Sequence, residues 1–366
     1  MRTVLAFAAA CVGLILLVPI LLIAAPLWIV SACTRGFARL FEPSYVTRDQ
    51  LIEFDPHVGW KPRPNLDTHH LMVDLFRIRT DAQGWRGHST VAESDIIVFG
   101  DSFAAGYGVS EKHLFANLGA RPRIKPIGIG GYSMVQELLW MKALAPSLRG
   151  KFVVWFIYFG NDLYDNLSPE LRGYRKPFVR ERKETGGWEI VSSHVSRERW
   201  PIPARAMKGH VHMATLTELC SDTLLAERAY SACEFLMQEA KRICADAGAQ
   251  LAVLTIPEVH QLTGDGQRVL QSLGPHLRDF DADQPDKKLA SICRRLRLPV
   301  VHGRDFLDVD CYKTNDCHWT ELGHRRVAAM LAELHASEKT QPAGLGAMPS
   351  GPAMVSRTAA VKSASM

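Results

Sequence analysis

The run Asp95-Ile96-Ile97-Val98-Phe99-Gly100-Asp101-Ser102-Phe103 places four consecutive apolar residues, three of them β-branched, directly before a Gly-Asp-Ser turn. A short apolar run that stops at glycine is the pattern of a strand covered on both faces, as in a parallel sheet flanked by helices. Residues 124–129 repeat it more weakly before Gly130-Gly131, and residues 152–159 are apolar throughout before Gly160-Asn161-Asp162. Residues 251–256 and 299–301 complete the series. Helical spacing of apolar residues fills the intervals. Val135, Leu138, Leu139, Met141, Leu144 and Leu148 mark one helix, residues 219–247 a long one closed by Gly248, and residues 287–297 and 321–336 two more. Strands separated by helices predict an α/β fold with a mostly parallel sheet and helices on both faces. In such sheets functional groups gather at the carboxyl ends of the strands.

Outward from this centre the composition is that of a globular protein with something apolar attached. The chain has 366 residues, 43 Lys and Arg against 38 Asp and Glu, a formal net charge of +5, 47% hydrophobic and 22% charged residues. A disordered chain, a collagen-like repeat and a polytopic membrane protein are excluded. From Thr3 to Thr34 there is no charged residue. A helix needs about 20 apolar residues to cross the hydrocarbon core, and a cleaved signal peptide has an apolar region of only about 7–15. Residues 1–40 are therefore expected to be a single-pass signal-anchor helix in a membrane. Val30-Ser31-Ala32-Cys33 resembles a lipobox and offers lipidation at Cys33 as the rival reading. Arg2 on one side and Arg35 and Arg39 on the other leave the orientation nearly balanced. Cys311 and Cys317 have a spacing that either closes a disulfide in an oxidising compartment or leaves two free thiols. The disulfide reading leans towards a catalytic body outside the cytoplasm, in the periplasm. Residues 340–366, rich in Gly, Pro, Ser and Ala, are expected to be a disordered tail. Residues 41–339 then form one domain.

Three polar signals end the first three strands, and a fourth, Asp316-Cys317-His318-Trp319, precedes the last helix. A serine is a poor nucleophile without a base in hydrogen-bond reach and donors where an oxyanion forms. Ser102 sits at a strand-to-helix turn, where its own N–H can face an oxyanion. Gly131 removes a side chain so that a backbone N–H can approach closely. Asn161 offers an amide donor at the next strand end. His318 can act as the base, oriented by a carboxylate on its other ring nitrogen. Each signal alone is an ordinary turn or loop; their order and placement carry the reading.

Together these segments resemble the blocks of the SGNH/GDSL hydrolase superfamily. Gly100-Asp101-Ser102-Phe103 is similar to the first block, Gly128 to Gly131 to the second, Phe159-Gly160-Asn161-Asp162 to the third, and Asp316-Cys317-His318-Trp319 with Gly323-His324 to the last. The resemblance implies a three-layer α/β/α flavodoxin-like fold. It also implies a Ser102–His318–Asp316 triad and an oxyanion hole of Ser102, Gly131 and Asn161. Two departures stand out. Pro126 occupies the place of the family's Asn in the second block, and the usual Asp, separated from the His by two residues, falls on Asn315. The Asp-x-His form resembles membrane-anchored bacterial members and alginate-acetylation proteins, which assigns Asp316 as the acid, with Asp310 and Asp308 as alternatives. Asp55-Pro56-His57-Val58-Gly59-Trp60 and Arg79-Thr80-Asp81 with Gly84-Trp85-Arg86-Gly87 also resemble the lead-in of those anchored members.

Between Asn166 and Met213 the alternation stops. This insertion, 166–213, carries ten Lys and Arg against five Glu. It is expected beside the catalytic face, either as a basic lid that attracts an acidic glycan or lipid headgroups or as a solvated loop. His194, His210 and His212 lack metal-ligand spacing, and no phosphate-binding Gly-rich loop is present, so no metal, cofactor or nucleic-acid partner is expected. The leading expectation is a serine-type esterase acting on an O-acyl ester, an O-acetyl ester of a polysaccharide or lipid in particular. A polysaccharide O-acetyltransferase using the same residues and a non-catalytic glycan-binding module are the alternatives.

Overall fold

The computed structural model describes residues 45–46, 48–72, 74–171, 174–182, 184, 186–195 and 210–340. The expected anchor, the candidate lipidation site Cys33 and the expected tail beyond Thr340 lie outside the described residues. No helix among the described residues is long and apolar enough to cross a membrane. The chain divides into two compact units, Met1–Tyr45 and Val46–Met366, and the second carries every element named here.

That unit begins with two antiparallel hairpins, β1 (Ile52–Asp55) with β2 (Gly59–Pro62) and β3 (Asp67–Leu71) with β4 (Leu75–Arg79). The α/β body follows as β5 (Ile96–Gly100), β6 (Ile124–Gly128), α1 (Met134–Leu144), β7 (Phe152–Tyr158) and the single turn α2 (Asp162–Asp165). Two small hairpins come next, β8 (Glu170–Leu171) with β9 (Tyr174–Arg175) and β10 (Phe178–Glu181) with β11 (Trp188–Val191). The body resumes with α3 (His210–Leu219), α4 (Leu224–Ala247), β12 (Gln250–Ile256), α5 (Gly264–Leu273), α6 (Gln284–Leu296), β13 (Val300–His302) and α7 (Glu321–Thr340).

Five of these strands form one parallel sheet in the order β13-β12-β7-β5-β6. Numbered by appearance within that sheet this is the doubly wound order 2-1-3-4-5, whose direction of winding reverses between its first and third strands. The reversal therefore falls between β5, which leads into Ser102, and β7, which leads into Asn161. Successive residues along the strands feed opposite layers, because Cβ atoms alternate across a strand. Ile97, Phe99, Val153, Trp155 and Val253 pack with Val135, Leu138, Leu236 and Ile292 of α1, α4 and α6. Ile96, Val98, Val154, Phe156 and Leu254 pack with Val327 and Leu331 of α7. Pro126, paired with Val98, is tolerated because β6 is the sheet edge and its missing donor faces no further strand.

The structure departs from the sequence reading where polar residues interrupt an apolar pattern. The long helix expected over 219–247 begins only at Leu224, and Leu219 closes the separate helix α3. Thr223 starts the long one by accepting the Ala226 N–H on its hydroxyl at 3.1 Å. The final helix runs on to Thr340. The two leading hairpins and α5 have too few apolar residues for period counting to find them.

Those hairpins build a third apolar cluster in which Leu51, Trp60, Phe76 and Ile78 close over Ala105, Tyr107, Ile129 and Tyr132. They thus rest on the loops that follow β5 and β6. The Tyr132 hydroxyl donates to the Trp60 carbonyl at 2.8 Å and the Gln136 amide to that of Val58 at 2.7 Å. Arg86 is the polar counterpart. Its buried guanidinium donates to Ala105 O at 3.0 Å, Gly106 O at 2.6 Å, Val109 O at 2.9 Å and Glu111 Oε1 at 2.7 Å. One planar group thereby holds the segment just past Ser102. The insertion is fastened in a similar way: the Lys176 ammonium, fully buried, donates to Ser133 Oγ at 3.1 Å and to the Asp165 carbonyl. Of its basic residues, Arg180 and Arg182 share Glu189 on the surface, where such pairs contribute little.

Removing one partner of a buried ion pair typically costs about 3–5 kcal/mol. Arg86→Ala should therefore lower unfolding stability by that order in a denaturant titration, and Arg86→Lys should recover only part, since an ammonium cannot span three carbonyls and a carboxylate.

Candidate active site

The turn after β5 is tight: Ala105 N donates to Asp101 O at 3.0 Å, Gly106 N to Phe103 O at 3.1 Å and Tyr107 N to Ser102 O at 3.0 Å. Asp101 fixes its shape by accepting the Phe103 N–H on Oδ1 at 2.9 Å. Ser102 Oγ lies 2.7 Å from His318 Nε2 and 3.3 Å from Asp101 Oδ2. The hydroxyl has one proton to give, and the shorter contact directs it to the imidazole.

His318 is carried by a loop closed on itself. Tyr312 bridges Trp319, Lys313 N donates to His318 O at 3.0 Å, and the Tyr312 hydroxyl donates to Pro257 O at 2.9 Å. Within that loop Asp316 Oδ1 lies 2.7 Å from His318 Nδ1 and 3.4 Å from the His318 N–H. A carboxylate on Nδ1 sets the tautomer: Nδ1 keeps its proton and Nε2 presents a lone pair to Ser102. Asn315 is exposed. Asp308 caps a short turn by accepting Asp310 N at 3.2 Å and pairs with Arg326 at 2.7 Å, and Asp310 is exposed. Of the three acidic candidates, the structure pairs Asp316 with the imidazole.

Phe103 and Tyr107 wall the imidazole, with ring centroids 5.3 and 5.8 Å from that of His318. Burial opposes the imidazolium. The adjacent Cys317 sulfur and the hydrogen bond that Nδ1 donates to Asp316 outweigh it, so the His318 pKa is held well above the ordinary imidazole value. Burial likewise works against the Asp316 carboxylate, and the His318 hydrogen bond and charge bring it below its ordinary value. Both shifts favour an ionised pair.

Gly131 and Asn161 flank Ser102 at the ends of the two strands beside β5. Gly131 has φ +81°, a conformation that side chains resist. Asn161 precedes α2 and is 8% exposed, and its Oδ1 has no hydrogen-bond partner. Gly160 is glycine for lack of room, since a Cβ there would fall 2.4 Å from the Tyr158 ring. Beneath Asn161 lies a buried polar layer. Asp162 Oδ2 accepts the Tyr158 N–H at 2.7 Å and Glu137 Oε2 accepts the Trp155 indole N–H at 2.6 Å. Burial pushes both carboxyls well above their ordinary range and the Lys176 ammonium down to about 8.

Cys311 and Cys317 are free thiols. Their sulfurs have different neighbours. Cys311 Sγ lies 3.5 Å from Asp308 Oδ1, and Cys317 Sγ lies 3.8 Å from His318 Nδ1. His324 belongs to the core: its Nδ1 accepts the Phe115 N–H at 3.3 Å and burial holds its pKa well below the ordinary value. His194 contacts the Pro169 carbonyl at 3.0 Å, and the side chains of His210 and His212 lie outside the described residues. Sequence reasoning assigned no role to Arg86 or Tyr107, read Cys317 only as a possible disulfide partner and counted Lys176 only among the basic charges of the insertion. The contacts of Arg86 and Lys176 join segments far apart in the chain, and only Arg86 had a local signal, the Gly84–Gly87 run.

No family model matches the chain, and no curated protein matches it. Solved structures similar to it include the inhibitor-bound aryl esterase of M. smegmatis, 10% identical over 67% of this chain and 99% of that one, with a TM-score of 0.38. A member of the lipolytic G-D-S-L family from Veillonella parvula is 11% identical over 65% of this chain and 96% of its own, at 0.36. A carbohydrate acetylesterase from Sinorhizobium meliloti is 10% identical over 67% and 99%, at 0.37. Identities and scores of this size assign neither a family nor an activity to this chain.

A neutral His318 is needed to accept the Ser102 proton, and its surroundings favour the protonated form. The rate of fluorophosphonate labelling of Ser102 should therefore fall towards acid with a midpoint above the ordinary imidazole value of about 6.5. Asp316→Asn, which removes one of the raising interactions, should slow labelling and move that midpoint down.

Proposed function

We propose that the chain is a serine-type ester hydrolase that removes an O-acyl group, an O-acetyl group in particular, from a glycan or lipid. The observation that carries the reading is the pair of 2.7 Å contacts, Ser102 Oγ to His318 Nε2 and His318 Nδ1 to Asp316 Oδ1. In this reading Ser102 Oγ attacks the ester carbonyl carbon as its proton passes to Nε2, and Asp316 stabilises the imidazolium. The developing oxyanion is met by the N–H groups of Ser102 and Gly131 and the Asn161 amide. Collapse of the tetrahedral intermediate breaks the bond to the alcohol, which leaves with the proton from Nε2. Water then attacks the acyl-Ser102, giving its proton to His318, and the carboxylic acid departs as Oγ regains its proton.

The resemblance of the last block to alginate-acetylation proteins supports acetyl and a glycan. The uncharged run from Thr3 to Thr34 supports a membrane-anchored protein with its catalytic body on the extracytoplasmic side.

A chain-length series of p-nitrophenyl esters tests the reading, with the acetyl ester expected to turn over fastest and Ser102→Ala reduced to background. Most of the hydrolysis surviving in Ser102→Ala would falsify it. Asn161→Ala should lose roughly 10²–10³ in kcat, the usual cost of one oxyanion donor, with its melting temperature unchanged. Acetylated oligosaccharide formed from an acetyl donor would mark transfer instead of hydrolysis.

A further inference from the structure

The residue between the acid and the base is a cysteine whose sulfur turns towards the same imidazole nitrogen that the acid holds. Cys317 Sγ lies 3.8 Å from His318 Nδ1, and Asp316 Oδ1 lies 2.7 Å from the same atom. One ligand atom from each of the three residues lies within 4.8 Å of the other two. Thiolate, imidazole and carboxylate together are a zinc donor set. Bound about 2.3 Å from sulfur and about 2.0–2.1 Å from nitrogen, a tetrahedral zinc ion sets those donors roughly 3.5 Å apart, close to the observed separation. The carboxylate has to open from the imidazole by several tenths of an ångström. It has a second oxygen available, for Asp316 Oδ2 is buried without a hydrogen-bond partner and the side chain as a whole is 9% exposed. Cys317 is itself only half-buried, which leaves a side for the ion and a water to complete four ligands.

We propose that Asp316, Cys317 and His318 form a zinc site whose occupation switches off the catalytic base. The site rests on donor geometry, and its effect on turnover rests on the esterase reading. The proton balance explains the effect. In the neutral form that catalysis uses, His318 carries its proton on Nδ1 and offers the Nε2 lone pair to Ser102. Zinc takes the Nδ1 lone pair, so the ring proton moves to Nε2, and the Cys317 thiol proton leaves to solvent. Nε2–H then donates to Ser102 Oγ and can no longer accept its proton. One proton is released per zinc, and no oxidant or reductant is involved.

The test uses the full-length protein, with cobalt(II) and zinc(II) as the probes. Cobalt should produce a thiolate-to-metal charge-transfer absorption at one equivalent, and zinc should abolish it. The band should be lost in Cys317→Ser and Cys317→Ala and kept in Cys311→Ser. In the wild type and in Cys311→Ser, zinc should suppress p-nitrophenyl acetate hydrolysis and a chelator restore it; each Cys317 variant, compared with and without zinc, should show no suppression. Absence of the cobalt band in the wild type, or its persistence in both Cys317 variants, overturns the site. Because that readout needs no turnover, it separates failure of the zinc site from failure of the esterase reading. A band without zinc inhibition of an active enzyme overturns the switch.

Discussion

The hydrogen bond between Ser102 Oγ and His318 Nε2 spans 216 positions of chain at 2.7 Å, and much of the surrounding structure is arranged so that it can form. A contact of such sequence separation has no local cause. It requires β5 to end where it does, α7 to lie on the matching layer of the sheet, and the loop before α7 to present one ring edge to the turn after β5. The doubly wound order supplies the first condition, since the reversal between β5 and β7 opens a crevice at their carboxyl ends. The packing of Val327 and Leu331 of α7 beneath Val98 and Phe156 supplies the second. The Tyr312–Trp319 bridge supplies the third.

Polar groups concentrated at one sheet edge carry a desolvation cost that must be offset nearby. Here the offset is distributed. Asp101, Asp162 and Glu137 accept backbone or indole donors, and the leading hairpins cover the Ser102 and Gly131 loops with Trp60, Phe76 and Ile78. Several atoms in this layer, among them Glu137 Oε1 and Asp162 Oδ1, nevertheless have no hydrogen-bond partner. The hydrogen bonds are thus denser at the periphery of the site than in this layer, with Arg86 bracing the nucleophile turn from outside.

Much of this was legible in the amino-acid sequence because buried parallel strands are nearly continuous apolar runs. Residues 96–99 and 152–158 announce themselves, and the polar residues directly after them must then lie at the sheet edge. The pairing of Asp316 with His318 was legible only through the resemblance, because nothing in the spacing alone distinguishes Asp316 from Asp308 or Asp310. What separates them is exposure and competing partners, Arg326 above all. The break after Leu219 and the leading hairpins were hidden for another reason. Short elements with mixed polarity are stabilised by what they pack against, and a periodicity count does not contain that information.

The seat of Lys176 bears on how the chain can vary in length. Its ammonium reaches the Ser133 hydroxyl, two residues past Gly131, and the carbonyl closing the turn that Asn161 opens. Excising the whole basic excursion would strand both acceptors in an anhydrous pocket. A change of length that spares this contact has to fall beyond Pro177, while the stretch leading from Asn166 to this lysine keeps its span.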